Sequence, residues 1–197
     1  GEVAVESSVS ANVRERRRNV VLIAIFGATT AFVTSAMAAH LPMLLLATGV
    51  GATAAIAAAA LLGPAQVVAR LGEFVAAHTY RPNPLITARI ATALHPLAGL
   101  IFLGAAGLPG VAMLFSVLHG AGNGMITIAK GTLPPVICGA HGSGALQGKL
   151  SVAQRVLQAL APLLFSLVMA WGGAVAGLSL TVALSLIALL ALLLIRL

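Results

Sequence analysis

Six runs of about twenty apolar residues each follow one another along this chain, at 20–41, 50–69, 84–103, 109–129, 152–170 and 174–195. A run of that length is what an α-helix needs to cross a hydrocarbon core. In lipid every backbone N–H and C=O must find its partner within the protein, so only helices or closed barrels can span. Barrel strands alternate apolar and polar residues, and these runs do not. Composition carries the same message. Of 197 residues 60% are hydrophobic and 8% charged, with a mean hydropathy of +1.08, so lipid has to cover most of the surface. The expected fold is an all-α membrane protein, a bundle of six transmembrane helices.

The charges sort to one side of such a bundle. Cations stand at Arg14, Arg16, Arg17 and Arg18, then at Arg70, Arg81 and Arg89, then at Lys130, Lys149 and Arg155, and last at Arg196. The alternate connections, 39–51, 104–110 and 171–177, contain no Lys or Arg. By the positive-inside rule the basic face is cytoplasmic, with both termini inside a cell (inner) membrane. Residues 1–19 are polar and form a mobile cytoplasmic linker segment; residues 20–197 form the bundle. A rival reading takes Arg14–Arg18, the apolar run after it, and Ala36 and Ala38 as a signal peptide with its cleavage site. The apolar run continues past Ala38 to Leu46, which favours a span. The net charge of +7 does not mark a nucleic-acid binder, because the cations cap apolar runs instead of lining one polar face, and aromatics are only 4%. One cysteine, Cys138, excludes an intrachain disulfide and a multi-cysteine metal site. The chain opens on Gly1 instead of Met, as a processed chain or a fragment does.

Several short motifs recur in order within this frame. Gly63 to Arg70 reads G-P-A-Q-V-V-A-R, and Gly120 to Pro134 reads G-A-G-N-G-M-I-T-I-A-K-G-T-L-P. Cys138-Gly139, the glycine-rich turn at His141 to Gly144, Gly148-Lys149-Leu150 and Ala161-Pro162 follow. Together they resemble the C-terminal six helices of bacterial major facilitator superfamily transporters, over nearly the whole chain. The resemblance implies one half of a twelve-helix major facilitator fold, with the N-terminal six-helix half of the same transporter as partner. It also implies secondary active transport of a small solute, efflux or uptake of a metabolite or drug-like compound, without a cofactor. The solute would bind near mid-membrane between the halves, which rock to expose it to either side. The family's loop signature carries an acidic residue between its Gly and its Arg. The copy here keeps Gly63 and Arg70, has no Asp, and places Glu73 three residues beyond Arg70. Arg70 is accordingly a gate or a lipid-headgroup ligand.

Polar residues inside a span are costly, so each is a functional candidate. In the fourth span His119, Asn123 and Thr127 recur every four residues on one helix face, either lining a substrate path or forming a helix–helix seam. Gly120, Gly122 and Gly124 between them invite close backbone approach. In the fifth span Gln154 and Gln158 share a face, and Arg155 can snorkel to the interface as an anchor. Pro162 removes a backbone donor and frees the carbonyl of Gln158. Thr30 and Thr34 share a face of the first span, where hydroxyls can also satisfy themselves on the preceding turn. His95, before Pro96, reads as a structural residue at a kink, and Gln66 as a vestibule residue one turn before Arg70. The substrate-path candidates are therefore His119, Asn123, Gln158 and Thr30; the candidates at the cytoplasmic end are Arg70, Gln66, Gln154 and Arg155.

The absences also inform. No Asp exists, and the four acids, Glu2, Glu6, Glu15 and Glu73, lie outside the apolar runs. Proton coupling would use a carboxylate elsewhere or a histidine such as His119. A cationic solute would want a buried acid, so neutral or anionic solutes fit better. No H-E-x-x-H, G-x-S-x-G or P-loop occurs, so no enzyme chemistry is expected. The alternative to a transporter half is a complete six-span structural or channel-like oligomer.

Overall fold

The computed structural model describes residues 2–80, 82–139 and 143–195. Arg81, His141, Gly142 and Arg196, which the sequence reading placed on the basic face or in the glycine-rich turn, lie outside them, as do the side chains of Glu2, Glu6 and Cys138. The described chain is helical in five elements: α1 (Glu2–Ala47), α2 (Ala52–Thr79), α3 (Pro84–Gly104), α4 (Pro109–Cys138) and α5 (Ser143–Leu194). All five are long and apolar enough to cross a membrane, so the chain is a multi-pass membrane protein.

Local chemistry sets most of the ends. Asn83 caps α3 by accepting the Leu85 N–H at 2.9 Å, and Pro84 pre-sets the first turn. Pro109 opens α4 in the same way. Two boundaries differ from the sequence reading. The segment 1–19 was expected to be a mobile linker, yet α1 is helical from Glu2. No Gly or Pro interrupts residues 2–26, and Arg18 donates to Glu15 at 3.4 Å one turn away. The fourth apolar run stops before Lys130, whereas α4 continues to Cys138 with Pro134 and Pro135 inside it.

The fifth element contains 52 residues, about 78 Å if straight. It is not straight. Gly173 sits at φ 68°, ψ −168°, a conformation that only glycine adopts without strain. Beyond it the chain folds back: a Cβ at Gly177 would lie 3.0 Å from both Phe165 and Met169. In a continuous helix Phe165 and Gly177 would be about 18 Å apart. The arms 143–172 and 174–194 are thus antiparallel.

Pairwise contacts fix the remaining directions. Leu62 meets Gly120 and Gln66 meets Gly124, so α2 and α4 run parallel. The His95–His119 and Phe102–Phe115 ring pairs set α3 antiparallel to α4. Gly27 against Gln154, and His40 against Phe165, set α1 parallel to the first arm of α5. Gly99 against Val182, with Arg89 donating to the carbonyls of Leu192 (3.1 Å) and Ile195 (3.1 Å), sets α3 antiparallel to the second arm. These relations gather the start of α1, the end of α2, the start of α3, the end of α4 and both ends of α5 on one side.

Two apolar cores stack along the bundle. One centres on Leu41, Leu44, Leu45, Phe102, Phe115 and Phe165; the other on Phe26, Leu85, Ile126, Leu133, Leu192 and Ile195. Between them lies a belt of buried polar side chains, including Thr30, Thr92, His95, His119, Asn123 and Ser185. The belt stands at mid-depth of the helices, where water is scarcest. Around the outside α2 buries little besides Ala55 and Ala58, and presents Ile56, Val68, Leu71 and Phe74 outward. The outer face of the first α5 arm likewise shows Val152, Val156, Leu163 and Leu167. Trp171 at one end of the bundle and Tyr80 at the other are almost fully exposed, as interfacial aromatics are.

Candidate functional site

A polar cleft enters this otherwise apolar bundle between α1, α4 and the first arm of α5. It has two chambers of about 240 Å³ each. Helical repetition explains its walls. On α4, Asn123, Thr127, Lys130 and Pro134 follow at steps of four, three and four, which is one helix face. On α5, Gln147, Ser151, Gln154 and Gln158 repeat the same spacing, with Arg155 beside them. On α1, Phe26, Gly27, Ala31 and Thr34 close the third side. The inner chamber takes Gln147 and Pro134, the deeper one Thr34, Asn123 and Gln158; both share Thr127, Lys130, Ser151 and Gln154.

Hydrogen bonds pin the three walls together. The Thr34 hydroxyl donates to Asn123 Oδ1 at 2.7 Å, tying α1 to α4. The Ser35 hydroxyl donates to the Gln158 carbonyl at 2.7 Å, tying α1 to α5. That carbonyl is the one Pro162 leaves without its helical donor, so a neighbouring helix supplies what proline withholds. The Gln154 side chain packs directly against the bare backbone of Gly27. At the cleft rim Thr127 donates to the Asn123 carbonyl at 2.9 Å, and Arg70 of α2 reaches Thr127 Oγ1 at 3.4 Å.

The charge in the cleft is one-signed. Lys130 is half-buried and Arg155 exposed, and neither has an ion-pair partner among the described residues. The lining contains no carboxylate. Among the described residues no three His, Cys, Asp or Glu side chains gather as a metal site requires.

The expected residues separate into two groups. Asn123, Gln158, Gln154 and Arg155 all line the cleft, and Arg70 touches it through Thr127. Gln66 lies at the α2–α4 contact, its backbone against Gly124. Thr30 is fully buried and donates to its own Phe26 carbonyl at 2.6 Å, the self-satisfied arrangement. His119 does not line the cleft. Four residues advance a helix by about 400°, so a four-residue stripe drifts about 40° per step and its first member turns away. The His119 ring stacks on His95 with centroids 4.1 Å apart and lies 5.5 Å from Phe115. His95 Nε2 donates to the His119 carbonyl at 3.1 Å, while His119 Nε2 is buried with no partner among the described residues.

Lys130, Ser151 and Gln147 were not among the expected site residues. Lys130 had been assigned to the basic face alone. Continuing the Asn123–Thr127 stripe by one more turn would have reached it, and the same step backwards from Gln154 reaches Ser151 and Gln147. No protein-family model, curated protein or solved structure matches this chain.

Proposed function

We propose that this chain is a six-span bundle of a secondary transporter, one half of a major-facilitator-type pair, and that the cleft is its share of the substrate path. The observation that carries the reading is the polar cleft itself. Amides, hydroxyls and a lysine line a space inside a lipid-embedded bundle, where such groups are expensive unless something uses them. The break at Gly173 supports six crossings: each arm of α5 is long enough to span alone. Every cation among the described residues then falls toward one side, which the positive-inside rule makes cytoplasmic. The exposed apolar faces of α2 and of the first α5 arm are where the N-terminal half would pack.

Transport by this geometry needs no reacting group. Asn123, Gln154 and Gln158 exchange hydrogen bonds with the solute in place of water. Rocking of one bundle against the other changes which side the cleft faces. The Thr34–Asn123 and Ser35–Gln158 bonds hold the walls in register while this happens. A self-associating six-span protein remains the second reading, because a second copy would also cover α2.

The test is a solute screen with the full-length protein in cells lacking their own exporters. Asn123→Ala and Gln158→Ala should each lower transport ~5–10-fold, the loss of about one hydrogen bond to the solute, at unchanged membrane level. Full transport in both variants would remove the cleft from the path.

A further inference from the structure

We propose that the cleft binds a soluble ligand through a compact anionic group, a phosphate or a carboxylate, with Lys130 as the principal counter-charge and Arg155 as the second cation. That this ligand is the transported solute rests on the transporter reading above; the anion site itself does not.

Lys130 lines both chambers and is half-buried, on the α4 wall of the cleft. A lysine half-withdrawn from water without a counter-ion is partly desolvated, which an anion in the cleft would offset. Among the described residues Lys130 forms no ion pair and no hydrogen bond. The chain has little acid to offer. It has no Asp, Glu15 pairs with Arg18 beyond the cleft, and Glu73 sits on α2. Around the lysine stand groups that can donate, the Asn123, Gln154 and Gln158 amides and the Ser151 hydroxyl, while the Thr127 hydroxyl is already committed to the Asn123 carbonyl. Arg155 adds a planar fork suited to two oxygens of one carboxylate or phosphate. A cationic ligand would meet two like charges and no acid, and a purely neutral one would leave the lysine uncompensated. Each chamber, at about 240 Å³, accepts a small solute with its charged head at Lys130.

The sequence supplies its own control, because Lys130 and Lys149 are the two lysines of the chain and Lys149 is exposed outside the cleft lining. The full-length protein, in phosphatidylcholine nanodiscs, is treated with acetic anhydride at constant ionic strength, and acetylation of each lysine is followed by mass spectrometry. The added probes are inorganic phosphate, acetate, succinate and, as a neutral solute, glycerol. At about ten times the dissociation constant, the bound anion should slow Lys130 acetylation about tenfold and leave Lys149 unchanged. Glycerol should protect neither, and Arg155→Gln should weaken the anion's protection. Equal rates at Lys130 with and without every anion would overturn the proposal. Protection by phosphatidylglycerol added to the nanodiscs, with none from soluble anions, would also overturn it, because the occupant would then be a lipid headgroup. Protection without solute movement in the transport screen would uphold the anion site and remove the transporter reading; movement without protection would do the reverse.

Discussion

Ser35 and Pro162 show how a single hydroxyl can answer a missing backbone donor. Proline at 162 leaves the Gln158 carbonyl open, and Ser35 on another helix closes it at 2.7 Å. Ser35→Ala should therefore cost about 1 kcal/mol of stability, the range measured for a deprived carbonyl tempered by the smaller values typical within membranes. In a Pro162→Ala background the residue 162 N–H bonds that carbonyl again, and Ser35→Ala should then cost close to nothing. Unfolding in mixed micelles would measure the cycle, and equal costs in both backgrounds would refute the pairing. The open carbonyl was legible in the sequence, since proline's chemistry is local. Its partner was not, because the pairing of residue 35 with residue 158 depends on how two helices are registered in space. The same limit governed the histidines. The His119–Asn123–Thr127 spacing was read as one face, but which way that face turns is decided by the stack on His95.

Helix against helix, α2 and α4 come together backbone to backbone at glycines. A Cβ at Gly124 would lie 2.5 Å from the Gln66 carbonyl oxygen and 3.0 Å from its Cα; a Cβ at Gly120 would lie 2.6 Å from the Leu62 oxygen. These obstacles are backbone, so no side-chain rotation can relieve them. Gly124→Ala should cost ~1–3 kcal/mol by forcing α2 away from α4. Gly72→Ala is the matched control: open space surrounds that position in α2, and the change should be neutral or stabilising by up to about 1 kcal/mol. Thermal unfolding in detergent distinguishes them, and equal behaviour of the two variants would show that the α2–α4 approach is looser than described. The helical character of the runs was legible from their length, as 84–103 against Pro84–Gly104 shows, but six runs gave five elements, the last two joined through Gly173. The far end of α4 was not legible. The apolar run ends at Ala129, but Lys130 points into the cleft, so its charge does not end the helix.

For the molecule as a whole, the contacts between helices make a claim about sides. Tyr80 and Lys149 belong to one end of the bundle, Ala105 and Gly172 to the other. With Cys138 replaced by Ser, single cysteines at these positions can be labelled in intact cells by a membrane-impermeant maleimide. Ala105→Cys and Gly172→Cys should react from outside; Tyr80→Cys and Lys149→Cys should react only after lysis. Outside labelling of Lys149→Cys would reverse the proposed orientation, and labelling of Ala105→Cys and Gly172→Cys from opposite sides would remove one of the six crossings. The six-span frame was read from apolar run length, and its sidedness from where cations are absent. The cleft was only half legible, because three separate helices must be brought together before Asn123, Lys130 and Gln158 become one surface.

The stem of the first helix, free of Gly and Pro as far as Phe26, has a mechanical corollary. The helix's 46 residues measure about 69 Å, roughly twice the thickness of the hydrocarbon layer, and Gly27 is its first glycine. A helical stem without Gly or Pro resists bending between Glu2 and Phe26. A swivel of the cleft wall at Thr34 would reach the arginine-bearing stem through Gly27, the one glycine between them.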